Sequence, residues 1–473
     1  MTTHIETPDP LLRAAVTNGL QQRFGERLLQ PGTPGYDDAR ALWNGMIEAR
    51  PAFIARCHDR DDVVSAVAVA GEHRLPVAVR GGGHNVAGLA SVDGGLVIDL
   101  SQMNAVRVEP EARLARVAGG ATIADVDKHT QAHGLAVPMG VVSATGIAGL
   151  TLGGGLGWLR RRFGLSCDNL VEADVVTADG QVVHANAEQN SDLLWGLRGG
   201  GGNFGVVTSF GFRLHPVGPD VAFTFTLYPL ERAHAVLRGH EAFLEVEPER
   251  VSTVATMGRV PSAEPFPSAI HGQEFIGVLG MDAGPALDGM DVMRPLRELA
   301  TPLADLSGIL PYLEAQRLYD EDYPDGMRYY WKSTSVMTLT DQAIDALVVR
   351  ARAAPSPHST IDIWLNGGAM ARPDAAATAY GRRDVRYLVN PEANWHDPAD
   401  DDANIAWARD CLRELTPDGD GKPYVNFPGF LEEGEAMTRA AFGANYARLA
   451  RLKARYDPEN LFARNPNVAP ATA

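Results

Sequence analysis

The chain has 473 residues, enough for two or more domains with ample cores. Its 42 Lys and Arg against 59 Asp and Glu give a formal net charge of −17, which repels duplexes and anionic membranes, so neither is expected as a partner. No apolar run approaches the ~20 residues of a membrane span, no secretory signal stands out among Met1 to Leu20, and three scattered cysteines (Cys57, Cys167, Cys411) argue against disulfides or zinc and for a reducing cytoplasm.

In chain order, Pro51 to Asp99 reads as a βαβ-like unit. Ala52 to Arg56 is a strand, a helix with Asp61 and Asp62 in its first turn runs to about His73, and Leu75 to Val79 and Leu96 to Leu100 are further strands. Val106 to Val108 and Leu114 to Val117 form a hairpin across Glu109-Pro110. Thr122 caps a helix ending near Gly134, and Val175 to Ala178 pairs with Gln181 to His184 over Asp179-Gly180. A short helix, Asp192 to Arg198, precedes the strand Val206 to Leu214.

After Pro216 the pattern becomes that of an α+β domain with a largely antiparallel sheet. Strands are expected at Ala222 to Leu227, Val251 to Met257, Glu274 to Leu279, Tyr330 to Met337 and Thr360 to Leu365. Helices are expected at about Glu231 to Glu245, Pro285 to Leu299, Thr340 to Ala353 and Asn404 to Leu415, and a last one from roughly Glu435 to Tyr456.

Three glycine-rich segments stand out: Gly81 to Gly83 followed by His84, Gly140 to Gly157, and Gly199 to Gly205. Consecutive glycines let backbone N–H groups converge on an anion with no Cβ in the way. Valine, isoleucine and leucine interleave the second segment, which separates it from a flexible linker. Together the three suggest a dinucleotide with a large flat end. The spacing Gly153-Gly154-Gly155-Leu156-Gly157 is not the Gly-x-Gly-x-x-Gly of a Rossmann turn, and no P-loop sequence occurs. The histidines lack metal-ligand spacing, so no metal is expected.

The runs RGGGHNVAG, GGLVIDLS, PMGVVSATGIAGLTLGGGLGWLRRRFGLSCDNL, LLWGLRGGGGNFGVVTSF and YVNF…ARYDPENLFARNPNV resemble the FAD-linked oxidases of the berberine bridge enzyme type. These belong to the vanillyl-alcohol oxidase, or PCMH-type, flavoproteins. The resemblance spans nearly the whole chain. It implies a PCMH-type FAD-binding domain of two α/β subdomains (about 1–216), a substrate domain with a large antiparallel sheet flanked by helices (217–423), and a C-terminal segment (424–473) returning to the first domain. FAD would be held by Arg80, Gly81, Gly82, Gly83, His84, Asn85, Gly88, Pro138, Gly140, Val142, Thr145, Gly146, Gly149, Leu150, Gly153, Gly154, Gly155, Gly157, Gly205, Val207, Tyr424, Asn426 and Asn467. His84 would carry the flavin through its 8α-methyl group, a neutral imidazole attacking an electrophilic carbon. Alone, His84 reads equally as a loop histidine satisfied by hydrogen bonds.

Many relatives add a second tether from a cysteine to flavin C6. Here that position is Val142, so the resemblance implies one covalent bond and no 6-S-cysteinyl link. Thr145 occupies the position that relatives use to admit or exclude oxygen, and with Leu150 it is similar to bacterial polyketide-modifying flavin oxygenases. An ordinary turn residue is the other reading of Thr145.

In the middle domain, period two places Asp362, Trp364 and Asn366 on one strand face. The resemblance makes Asp362 the candidate base; otherwise it is a solvated strand carboxylate. Trp364 is a substrate platform or aromatic core. Tyr330 and Lys332 resemble a family segment facing the substrate. Tyr424 is a second candidate base, and Phe427 stands where the family often has another tyrosine. Asp168-Asn169 supports the FAD loops or serves a turn. The expected activity is an FAD-dependent oxidase moving a hydride from an alcohol, sugar or secondary metabolite to flavin N5, with O2 as reoxidant giving H2O2, in a monomer or homodimer. The alternative is a flavin oxygenase or cyclase acting on a polyketide-like compound.

Overall fold

A computed structural model describes residues 10–246, 249–415, 422–427 and 434–472. The first sheet joins the parallel strands Phe53–Arg56, Leu96–Asp99 and Val77–Arg80, with Leu28–Leu29 antiparallel at the edge. Every residue of Leu96–Asp99 is buried, as a parallel strand covered on both faces requires. Helices Pro10–Phe24 and Arg60–Glu72 supply Val16, Leu20, Val63 and Val67 to that cover. Asp59 caps the second helix, accepting the Asp62 N–H at 2.8 Å.

The second sheet is antiparallel, in the order Val106–Glu109, Leu114–Ala118, Val206–Arg213, Leu170–Val176, Val182–Asn186. The two expected hairpins form its flanks, and the long Val206–Arg213 strand joins them at the centre. Thr122 starts the helix Ile123–Gln131 with a reciprocal cap, its side chain accepting from Asp125 N while the Asp125 carboxylate accepts from Thr122 N.

The third sheet begins at Asp220. Its main order is Ala304–Asp305, Asp220–Pro229, Glu274–Asp282, Val251–Arg259, Thr360–Leu365, Tyr387–Trp395, Arg328–Trp331. Its two faces differ. Ile361, Ile363 and Leu365 meet Leu237, Ile344 and Trp407 of a helix layer. Trp364, Trp331 and Tyr329 meet Trp43, Leu156 and Trp158 of the N-terminal half. At the other end of the chain, Leu449 and Leu452 of helix Tyr446–Tyr456 share a core with Leu193, Leu197 and Phe204.

Three expectations change, and one strand was not expected. The strand expected at Tyr330 to Met337 is two, Arg328–Trp331 and Thr334–Val336, each pairing with Tyr387–Trp395. The helix expected over Pro285 to Leu299 is two short ones, Ala286–Val292 and Arg294–Arg297, because Pro295 suits only a first turn. The C-terminal helix breaks at Gly443, whose φ of +52° is left-handed. Tyr387–Trp395 itself escapes a sequence reading because it contains Pro391. The Pro391 carbonyl accepts from Lys332 N at 3.1 Å, so the missing N–H faces the interruption between the two short strands, where no ladder bond is lost.

Candidate active site

The interface between the N-terminal half and the third sheet encloses a long cavity with about 1710 Å³ of empty space, counted out to its mouth. Its floor is built from two of the glycine segments. A Cβ on Gly82 would stand 2.4 Å from Gly146 N, and one on Gly146 would stand 2.2 Å from Gly82 N. The two loops therefore touch backbone to backbone, which only glycine permits at both positions. Gly81, Gly82, Gly83, His84 and Asn85 line one side, and Gly140, Val142, Thr145, Gly146, Gly149, Leu150 and Gly153 another. Gly205 enters from the third glycine segment, Val207 from the strand that follows it, and Asn426 from the C-terminal segment.

His84 ends the loop Gly81–Gly83 that follows the strand Val77–Arg80. Its Nε2 is shielded from solvent and takes no hydrogen bond within the protein. Burial pulls its pKa down to about 4, so the imidazole is neutral at ordinary pH. Trp43 stacks on the ring at 4.0 Å between centroids.

Another part of the cavity wall belongs to the third sheet. Asp362 and Trp364 both line it, as their shared strand face requires. Asp362 is 2 % exposed and its Oδ1 has no partner. Glu392, from the neighbouring strand, is 3 % exposed. Tyr323 Oη donates to Glu392 Oε2 at 2.6 Å, and Asn390 Nδ2 donates to Oε1. Strand register puts Asn390 opposite Asp362, so Glu392 is its diagonal neighbour. Burial raises the pKa of both carboxyls; repulsion from Asp362 adds to the rise at Glu392, and repulsion from Asp322 adds to the rise at Asp362. Glu392 was not apparent in the sequence, because it follows Pro391 in a segment with no strand signal. Tyr319, Tyr323, Trp331 and Phe427 complete this part.

Several expected site residues lie elsewhere. Arg80 turns away, pairing with Asp99 at 2.6 Å and donating to the Ala39 carbonyl, so it holds the glycine loop from behind. Gly88, Pro138, Gly154, Gly155, Gly157 and Asn467 do not line the cavity. Gly157 instead lets the backbone pass Met139, whose carbonyl oxygen would be 1.6 Å from an added Cβ. Asn467 belongs to a tail bound to the third glycine segment, where Asn203 Oδ1 accepts from Val468 N at 2.9 Å.

Tyr424 is likewise outside the cavity wall. Its hydroxyl accepts from Gly155 N and from Asn426 Nδ2, each at 2.9 Å, and burial raises its pKa well above the ordinary phenol value. That arrangement positions a loop and makes a poor base.

Tyr330 and Lys332 point into the helix layer beside Arg409, which donates to Tyr330 Oη at 3.0 Å. Alternation on the strand hands the cavity to Trp331. Asn366 leaves the strand, its carbonyl accepting from Arg161 Nη1 at 2.8 Å. Asp168 binds Arg383 through both oxygens, at 2.8 and 2.6 Å, joining the loop before the Leu170–Val176 strand to the loop before Tyr387–Trp395.

A glycine-built channel lined by a neutral imidazole and two buried carboxyls suits a PCMH-type flavoprotein. Residues 51–186 match the model of an FAD binding domain, and residues 423–469 match that of berberine and berberine-like proteins. The chain is 30% identical over 453 residues to the uncharacterized FAD-linked oxidoreductase YvdP of Bacillus subtilis, covering 94% of this chain and 98% of that one. It is 28% identical over 467 residues to (R)-6-hydroxynicotine oxidase of Paenarthrobacter nicotinovorans, covering 94% and 96%. The crystal structure of 6-hydroxy-D-nicotine oxidase from Arthrobacter nicotinovorans superposes with a TM-score of 0.82 at 27% identity, over 94% of this chain and 98% of that one. The chain belongs to the berberine bridge enzyme-like FAD-linked oxidoreductases and is an FAD-binding enzyme. Among the described residues, no helix is long and apolar enough to cross a membrane, and no three metal-ligating side chains gather.

Proposed function

We propose that this protein is an FAD-dependent oxidase with one covalent flavin bond, from His84 to the 8α-methyl group, and with Asp362 as the base. The observation that carries this reading is that two unpartnered, solvent-shielded groups, His84 Nε2 and Asp362 Oδ1, line the same cavity. Its glycine walls suit an extended dinucleotide: they offer backbone N–H groups and no side-chain bulk. When bound, FAD supplies the acceptor for a hydride and, through oxygen, its own reoxidation with release of hydrogen peroxide.

His84, neutral because it is buried, has the lone pair that attachment to a carbon requires. Val142 lines the cavity with no nucleophile, and all three cysteines are buried outside it, which supports a single tether. Asp362 accepts a proton from the substrate hydroxyl or amine as the adjacent C–H is broken. Its raised pKa places its charge change nearer neutrality, where a base is most effective. Glu392 stays tied to Tyr323 and Asn390 and so holds a fixed position beside Asp362. Thr145 lines the wall shared with Gly146, in a position to control access of oxygen.

The test is acid precipitation of the purified protein, with hydrogen peroxide measured alongside. Yellow colour should stay with the pellet in the native protein and move to the supernatant in His84→Ala. A colourless pellet from yellow native protein would refute the linkage. Substrate oxidation without peroxide under air would refute the oxidase assignment.

A further inference from the structure

The third-sheet part of the cavity wall carries an imbalance of charge. Asp362 and Glu392 both line it, and neither pairs with a cation among the described residues. The one lysine or arginine among the described lining residues is Arg464, whose Nε donates to the Ser91 carbonyl at 3.3 Å on the side of the first sheet. Arg160 lies 5.1 Å from the Trp364 ring centroid, but its Nη2 donates to the carbonyls of Thr253 and Leu365. Two buried carboxyls without a counter-ion hold their protons more tightly, and a cationic ligand would favour their charged form.

The surrounding groups are aromatic. Trp331 lies 5.4 Å from Tyr323 and 5.5 Å from Phe427, and Tyr323 lies 6.1 Å from Tyr319. Trp364 lines the cavity from the strand that carries Asp362. Several hydrogen-bond donors here are already committed. Trp331 Nε1 donates to Asn394 Oδ1 at 2.7 Å, Tyr323 Oη to Glu392 at 2.6 Å, and Asn426 Nδ2 to Leu150 O at 3.1 Å. Tyr319 Oη and Trp364 Nε1 are left, and beside Asp362 the hydroxyls of Thr256 and Thr360. A polyhydroxylated ligand needs donors and acceptors in alternation, and of these donors only those of Tyr319 and Trp364 belong to lining residues. Aromatic faces with an adjacent negative charge are instead the surroundings that hold organic cations.

We infer that the substrate is an amine bound as its ammonium cation, seated among Trp331, Trp364 and Tyr323 with its charge against Asp362 and Glu392. This rests on the oxidase reading above and narrows its substrate class. The Asp362 carboxyl is the acceptor for an ammonium N–H, and Glu392, held by its two donors, is the second acidic group beside it.

The test uses the purified holoenzyme at constant ionic strength, with tryptophan fluorescence reporting binding. The probes are benzyltrimethylammonium, benzyl alcohol and glucose. The cation should bind about ten-fold or more tighter than benzyl alcohol, and glucose should bind weakest. Asp362→Asn, Glu392→Gln and the double variant should each reduce that preference, the double variant abolishing it. Equal binding of the cation and benzyl alcohol, tighter binding of glucose, or an undiminished preference in the double variant would overturn the cation site. Acid precipitation of the same samples keeps the two readings apart. Selective cation binding by protein that never carries flavin would refute the oxidase and leave the cation site standing. Yellow, peroxide-forming protein without the preference would do the reverse.

Discussion

Trp43 lies nearly parallel to His84, with centroids 4.0 Å apart and 18° between the planes. The same indole stacks on Tyr329 at 3.7 Å and 12°, and its Nε1 donates to the Tyr323 carbonyl at 2.9 Å. Next to it, Asn44 Nδ2 donates to both the Val86 and the Tyr329 carbonyls, at 2.7 and 2.9 Å. A segment far from any glycine motif thus fixes the candidate attachment residue against the third sheet.

Trp43→Ala should leave flavin bound but slow its covalent attachment, because an aromatic stack contributes about 0.5–1.5 kcal/mol of orientation, roughly a few-fold to ten-fold in rate. The fraction of yellow colour in the acid pellet, followed over time after adding FAD to apoprotein, measures this. Trp43→Phe should restore most of it. Unchanged attachment in the alanine variant would remove Trp43 from any positioning role.

Asp362→Asn should lower kcat by about 10²–10⁴-fold with the flavin still attached, the range for loss of a general base. The pH profile follows from the direction of its pKa. A base must be deprotonated, so kcat/KM should rise with pH and level off above a break that lies higher than the ordinary aspartate value of about 3.9. Rates measured across the acid limb decide it.

Asp322→Asn removes a negative neighbour that raises the Asp362 pKa, and so lowers it. The acid limb should move to lower pH, while flavin attachment stays as in the native protein. A limb that stays in place would mean that the two carboxyls do not share a field.

Gly146→Ala should abolish or sharply weaken FAD retention. Its Cβ would lie 2.2 Å from Gly82 N, a backbone atom that cannot swing aside. Overpacking of this kind costs about 1–3 kcal/mol or more and here pushes apart the two loops that form the floor. Gly134→Ala is the contrast, since nothing lies within 4 Å of its Cβ. It should keep its flavin and incur only the modest strain of a side chain at φ +65°.

Lys453 and Asp457 are both fully buried, with Nζ to Oδ2 at 2.6 Å. Lys453 also donates to the Phe462 carbonyl, and Asp457 accepts the N–H groups of Leu461 and Phe462. Lys453→Met leaves a buried carboxylate without its cation and should cost about 3–5 kcal/mol. Thermal unfolding should show the loss, with the C-terminal tail released first in hydrogen exchange.

The glycine loops, His84 and the strand face of Asp362 and Trp364 are legible in the chain because each depends on local backbone needs: room for close approach, or a two-residue period. The two hairpins and the capped helix at Thr122 are legible for the same reason. Tertiary structure alone decided which of Tyr329, Tyr330 and Trp331 meets the cavity, since three consecutive buried aromatics leave strand phase undetermined. It alone revealed Glu392, because a proline inside a central strand is tolerated only where the neighbouring strand is interrupted. Tyr424 moved from candidate base to loop anchor on the same grounds: a hydroxyl's chemistry depends on what it bonds, here Gly155 N and Asn426 Nδ2 from distant parts of the chain. Sequence determines what the backbone can approach; packing decides which side chains are left unpartnered where they meet.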